Sequence, residues 1–330
     1  MISIEKTGLT TITDKSTWDS LHDQTKEYNI YQTFEWGEFK KTEGWETKRF
    51  MLKIDDTDFT IAQTVEKKLF DKKIIWIPGG PIFSKNSSFK SYDSFLKELV
   101  KHYSAYKFVL RINQQYPSHP TINFLLDKNG FSRPAKKRTS GYTIYVNTTD
   151  FENSTTKNWH RNYKRSQKND LDFIVRNDES LYSDIMKLYN ETVTLKKLKN
   201  VPDFSHISTL HKLLKDNVIT FIARHNGIAV SGRVLLKCRT RAFDYIAGTS
   251  YEGRKTYSSH FLVYKILEWL KNAGVELFDL SGVDPEDEGV FNFKRGTGGE
   301  LIQFVGEWEI SNSFLLKKML NMYLVMQSGG

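Results

Sequence analysis

The spacing of apolar and polar residues changes several times along the chain, and each change predicts an element. STWDSLHDQ and QTFEWGEFKKTEG carry apolar residues at helical spacing, the first with Ser16 as its expected N-cap. TKRFMLKI and DFTIAQTVEKKL alternate in the manner of paired strands, joined by the turn residues DDTD. IIWIPGGPIF is a short apolar strand stopped by Pro-Gly-Gly-Pro, followed by the amphipathic helix SYDSFLKELVKHY and the strand KFVLRIN. The second half repeats this rhythm. A basic helix, TTKNWHRNYKRSQKN, precedes the strand LDFIVRN and the helix DESLYSDIMKLYNETV, capped around Asp178. NVITFIARHNGIAVSGRVLLKC reads as a hairpin turning at His225-Asn226-Gly227, and RAFDYIAGTS as the next strand. In SSHFLVYKILEWLKNAG, Leu262, Ile266, Trp269, Leu270 and Ala273 fall on one face, with Gly274 where a helix C-terminal glycine belongs. The strand VELFDLSG follows, and ISNSFLLKKMLNMYLVMQ predicts a last amphipathic helix.

Each half thus runs from helices to antiparallel strands, then a helix and a further strand. That order outlines the GNAT-type acyltransferase fold. The predicted fold class is α/β (α+β): two tandem GNAT-like domains with mixed, largely antiparallel sheets, and a boundary near residues 147–152.

Composition narrows the class. The 330 residues exceed what one core needs, and 39% hydrophobic with 14% aromatic residues excludes a disordered chain. The single cysteine, Cys238, forbids an internal disulfide or a cysteine-rich metal site, fits a reducing compartment, and is expected in the core. MISIEKTGLTT lacks the basic-then-apolar pattern of a signal peptide. The longest apolar run, FLVYKILEWL, carries Lys265 and Glu268 and is too short to span a bilayer, so a soluble, cytoplasmic protein is expected. The net charge of +9 favours nucleic acid, phosphorylated ligands or an anionic membrane face.

The stretch FNFKRGTGGE, residues 291 to 300, concentrates candidate chemistry. A nucleoside-triphosphate loop places its lysine after the glycines, whereas Lys294 precedes Gly296, Gly298 and Gly299. A dinucleotide loop needs Gly-x-Gly-x-x-Gly before a helix, and neither the spacing nor the following strand fits. An acetyl-CoA cradle would open the helix after Tyr251, yet that turn holds Arg254, Lys255 and Tyr257 with Gly253 as its only glycine. No metal is expected: His206 and His211 miss the helical i, i+4 spacing, and Asp284, Glu286, Asp287 and Glu288 read as a solvated acidic loop. No Gly-x-Ser-x-Gly occurs.

Three segments carry a family resemblance. QTFEWGEFKKTEGW resembles the N-terminal Gln-x-x-x-Trp-Gly-x-x-Lys segment of the Fem family of peptidoglycan-bridge aminoacyltransferases, and IPGGP its Pro-Arg-Gly-Pro turn, with Gly79 at the arginine position. The order Tyr-x-x-Gly, helix, Asp-Leu-x-Gly, Phe-Lys-x-Gly-x-Gly-Gly and Gly-Glu, spread over residues 243 to 310, is similar to the family's C-terminal block. The resemblance implies a compact, armless enzyme that moves an amino acid from aminoacyl-tRNA, as co-substrate and without further cofactor, to the stem-peptide amine of a peptidoglycan precursor. It implies a C-terminal segment, 307–330, returning to a first domain of residues 1–148, with 149–306 as the second. Expected partners are aminoacyl-tRNA and a UDP-linked or lipid-linked precursor, with a monomer making peripheral contact with the inner membrane face.

Ester aminolysis builds negative charge on the carbonyl and ribose oxygens, which a fixed cation or preorganised donors must meet. Lys294, supported by Phe293, is the expected catalytic residue, with the following glycines admitting the tRNA end. The resemblance carries substrate binding to Trp36, Lys40, Tyr245 and the segment Thr194, Lys196 and Lys197, where the family has arginine. Arg295, Arg161, Lys164 and Arg165 are expected to meet tRNA phosphates. Asn113 stands where the family can carry aspartate, and an amide is no base. Two other readings stay open: a GNAT-like acyltransferase acting on a different amine-bearing cell-surface component, and a non-enzymatic basic module binding RNA or phosphate.

Overall fold

The computed structural model describes residues 2–4, 8–196 and 201–328. Two compact units emerge, residues 1–141 with 303–330, and residues 142–302.

The first unit opens with β1 (Ile2–Ile4), β2 (Thr10–Ile12), α1 (Lys15–Asp23) and α2 (Phe34–Thr42). The α1 cap is Asp14, whose carboxylate accepts from the Thr17 amide at 2.8 Å. Ser16, the expected cap, instead donates to that same carboxylate at 2.7 Å. The strands β3 (Glu46–Lys53), β4 (Phe59–Leu69), β5 (Lys72–Pro78) and β6 (Ile82–Phe83) follow, then α3 (Lys90–Tyr103), β7 (Lys107–Pro117) and α4 (Pro120–Lys128). The sheet runs β1-β2-β3-β4-β5-β7, with β6 on β4. β5 and β7 are parallel, so their link must cross over the sheet, and α3 makes that crossing. It buries Tyr92, Phe95, Leu96, Leu99 and Tyr103 against Phe50, Ile75 and Leu110. Each such side chain contributes about 1.5–3 kcal/mol.

The second unit comprises β8 (Tyr142–Asn147), α5 (Phe151–Ser154), α6 (Lys157–Ser166), β9 (Leu171–Arg176), α7 (Tyr182–Lys196) and α8 (Phe204–Leu214). It continues through β10 (Val218–His225), β11 (Ile228–Cys238), β12 (Arg241–Thr249), α9 (Tyr251–Lys255), α10 (Ser258–Asn272), β13 (Leu277–Gly282) and α11 (Glu288–Arg295). The order is β8-β13-β12-β11-β10-β9, and α10 is the crossover between the parallel pair β12 and β13. The β10–β11 turn holds Asn226 and Gly227 at φ 51° and 77°, the left-handed pair that a tight hairpin demands. α10 and α6 cover one sheet face through Leu262, Ile266, Leu270, Trp159 and Tyr163. On the other face, Gly232 and Gly248 let α7 lie close, since a Cβ on Gly248 would meet the Leu188 backbone.

The chain then returns to the first unit through β14 (Glu300–Ser311) and α12 (Phe314–Ser328). β14 runs antiparallel to β7, pairing Trp308 with Ile112 and Glu307 with Asn113. The expected boundaries at 148/149 and 306/307 therefore move to 141/142 and 302/303. Tyr142–Asn147 is already a strand of the second unit's sheet, with Asn147 opposite Leu277. Among the described residues, no helix is long and apolar enough to cross a membrane.

Candidate active site

In the second unit the candidate chemistry gathers where β13 ends. Asp279 is 6% exposed, and its carboxylate accepts from the Thr143 hydroxyl and, at 2.8 Å, from the Ser281 amide. That second bond folds the strand end back: Ser281 sits at φ 59°, and the pairing with β8 shifts register between Asp279 and Gly282. Three successive carbonyls consequently converge on one cation. Lys294 Nζ donates to the oxygens of Leu280 (2.5 Å), Ser281 (3.3 Å) and Gly282 (3.0 Å). The Ser281 hydroxyl ties the same turn to the Asp244 carbonyl, and Asp244 is paired with Arg233. Burial pushes the Asp279 carboxyl up to about 6, against the opposing pull of its hydrogen bonds and of Lys294 and Arg241.

Lys294 does not lie in a glycine-rich loop, as the sequence suggested. It occupies the last turn of α11, capped by Asp287 from the stretch that had read as a solvated acidic loop. Nor do the glycines open space for a ligand. A Cβ on Gly296 would meet Trp159 at 2.7 Å, one on Gly299 would meet Ile144 at 2.6 Å, and one on Gly298 would overlap the Ser154 carbonyl. Their space is filled by the unit's own chain. Phe293 packs edge-on against His260 at 5.0 Å and near Trp159, with the Arg233 guanidinium 5.9 Å from its ring. Burial takes His260 down to about 4 and keeps it neutral at pH 7.

The other expected residues divide by face. Arg161, Lys164 and Arg165 lie on the exposed side of α6, opposite buried Trp159 and Tyr163, and Arg165 donates to the Tyr257 hydroxyl at 3.2 Å. Arg295 is exposed and bonds the Gly299 carbonyl. The Tyr245 hydroxyl is hydrogen-bonded to His206 Nε2 on α8, with the two rings nearly parallel. Thr194 lines an open depression with Asn190, Phe204 and Arg254. Lys196 is the last residue of α7, and Lys197 lies outside the described residues.

The first unit holds a half-open cavity of about 620 Å³. Its walls include Tyr31, Trp36, Trp45, Trp76 and Tyr323, its polar groups Asn113, Gln115 and Thr139, and its cations Lys40, Lys67, Arg111 and Arg138. Trp36 and Lys40 thus line the same cavity, with Lys40 Nζ 5.8 Å from the Trp36 ring. Asn113 joins them. Beneath it, buried Glu307 accepts from the amides of Arg138 and Thr139 and from the Thr139 hydroxyl, each at 2.7 Å. Arg111 is held between Glu309 and, at 3.5 Å, Glu307.

Residues 153–295 match the acetyltransferase (GNAT) domain family. A lipid II:glycine glycyltransferase from Staphylococcus haemolyticus (strain JCSC1435) is 25% identical over 148 residues, 42% of this chain and 35% of that protein. The match therefore spans about a third of that relative's length. The crystal structure of FemX superposes with a TM-score of 0.81 at 14% identity, covering 94% of this chain and 99% of that one. A tandem GNAT protein from the clavulanic acid biosynthesis pathway gives 0.54 at 8% identity, covering 92% and 99%.

The chain shares the fold of FemX. Its fold is the tandem GNAT arrangement expected from the order of elements. Around Lys294 and Phe293, to which the sequence pointed, the structure adds Asp279, Asp244 and His260. Asp279 opens the Asp-Leu-x-Gly motif already in hand, so a carboxylate one strand-turn from the lysine was the available signal. Nothing local marked His260 or Arg233, which reach the site from different elements.

Proposed function

We propose that this protein is a Fem-type aminoacyltransferase that transfers an amino acid from aminoacyl-tRNA to the stem-peptide amine of a peptidoglycan precursor. The observation that supports the reading best is the convergence at β13 and α11, where Lys294 is fixed beside Asp279 within the GNAT-matching unit. The 25% identity to a protein described as a lipid II:glycine glycyltransferase supports the same direction.

In the proposed reaction the amine nitrogen attacks the ester carbonyl, the C–N bond forms, and the bond to the tRNA ribose oxygen breaks. The amine proton passes to the departing ribose oxygen. Lys294 supplies positive charge to the developing oxyanion, and a preorganised cation costs no rearrangement at that moment. Its hold on three carbonyls sets its position. Phe293 shields it by packing on His260. Lys40 and Trp36 grip the precursor in the aromatic cavity, where lysine binds phosphate as a point charge without the bidentate fork of arginine. Arg161, Lys164, Arg165 and Arg295 meet tRNA phosphates.

The test is direct. Purified protein, charged tRNA and a muramyl pentapeptide precursor are incubated, and amino-acid addition is followed by mass spectrometry. Transfer is expected, and Lys294→Met is expected to lower it at least a hundredfold, the scale of losing one oxyanion-stabilising group, with the fold retained by circular dichroism. Absence of transfer from every aminoacyl-tRNA would overturn the reading, and RNA binding without turnover would favour a binding module.

A further inference from the structure

We propose that one end of the first unit's sheet is a docking surface for an anionic phospholipid membrane. Three chain segments meet there: the β4–β5 turn, the start of β7 and the first turns of α12. Lys72 pairs with Lys107, the Lys107 amide donates to the Asp71 carbonyl at 2.9 Å, and Asn312 bridges the Phe108 amide and the Tyr106 carbonyl at 2.8 and 2.7 Å.

The surface is apolar at its tips and basic between them. Phe70 is 84% exposed at the turn, Phe314 83% and Leu315 63% exposed on α12, and Met319 and Met322 continue the same exposed stripe. Phe70 also adopts φ 55°, a conformation usually left to glycine or asparagine. The fold offers it no burial in return. Lys68, Lys107 and Lys318 are exposed beside these tips, Lys72 is half-buried, and Asp71 is the single acidic residue in the three segments. α12 itself carries two lysines and no acid. Apolar side chains entering the headgroup boundary with lysines at its anionic surface are the pattern of interfacial attachment.

Charge decides against a second copy of this chain, which would bring the same lysines face to face. An RNA would use the lysines and stack on the phenylalanines but would leave Leu315, Met319 and Met322 without a role. The opposite side of α12 places Leu320 and Leu324 in the wall of the aromatic cavity. A docked membrane would thus lie roughly one helix diameter, about 10 Å, from that cavity. Docking does not depend on the proposed transfer reaction. Only its use, the presentation of a lipid-linked acceptor, rests on that reading.

Co-sedimentation of the full chain with vesicles tests the proposal. Binding is expected to vesicles containing equal parts phosphatidylglycerol and phosphatidylcholine, weakened by salt, and much less to phosphatidylcholine alone. Replacing Lys68, Lys107 and Lys318 by serine should weaken binding about fivefold per lysine. Replacing Phe70, Phe314 and Leu315 by serine should also release the protein, with melting temperature unchanged because all three are exposed. Vesicle binding that survives both triple variants would overturn the proposal. So would loss of tRNA binding with vesicle binding intact, or a dimer that the phenylalanine variant dissolves. If transfer fails while vesicle binding behaves as expected, the reaction is wrong and the surface stands.

Discussion

Asp279 and His260 titrate in overlapping ranges with opposite effects on stability. Asp279 rises from 3.8 in the unfolded chain to about 6 in the fold, so between those values the folded state holds the extra proton. Stability is therefore lost as pH rises through that window, by about 3 kcal/mol in all. His260 falls from 6.5 to about 4, so there the unfolded state holds the extra proton and stability is lost as pH drops. That loss is also about 3 kcal/mol. The two oppose each other between pH 4 and 6. Urea denaturation of His260→Gln should show stability rising as pH is lowered from 6 to 4, and Asp279→Asn should show the reverse. Parent-like profiles in both would exclude these two groups. At this scale the sequence exposed which residue types were present, including Lys294 and the Asp279 motif. Burial, which moves both titrations, depends on Thr143, Trp159 and Phe293, residues far apart in the chain.

Most elements were legible because their periodicity is local. The β10–β11 hairpin followed from Asn226-Gly227, and the end of α10 from Gly274, which sits at φ 70°. α11 was not legible. Three glycines close behind it, with an acidic cluster ahead, gave it the composition of a loop, and its cap, Asp287, was taken as part of that cluster. α4 and α8 were also unforeseen, although Pro120 stands at an N-terminal helical position and Asp203 caps α8. Gly298, behind α11, can be told from an ordinary turn glycine by substitution. Gly227→Ala, in open space at φ 77°, should cost about 1 kcal/mol for its backbone conformation alone. Gly298→Ala combines φ 83° with overlap of the Ser154 carbonyl and should cost at least about 2–3 kcal/mol. Thermal melts of the pair would settle it: equal shifts would mean that Gly298 has room.

The first unit is assembled from both ends of the chain, and its centre is ionic. Arg111, 2% exposed, lies between Glu309 and Glu307 on β14, and Glu309 also meets Lys317 of α12 at 3.1 Å. Removing one member of such a buried set leaves an uncompensated charge. Glu309→Ala should therefore cost about 3–5 kcal/mol, measured by denaturant midpoint. A fragment of residues 1–141 lacks β14 and leaves Arg111 and the β7 edge without partners, so it should show no cooperative unfolding transition. A cooperative melt would contradict this account.

The sequence by itself determined the tandem GNAT outline, most strands and helices, and Trp36, Lys40, Phe293 and Lys294 as the residues to watch. Those follow from periods of two and 3.6 residues, from turn chemistry, and from a motif order that survives in the linear string. Only the tertiary structure decided that Lys294 is clamped by the carbonyls of residues 280–282, that its neighbouring glycines are packed, and that Asn113 pairs across the sheet with buried Glu307. Each of these depends on burial or on a bond between distant segments, and neither leaves a local signature in the order of residues.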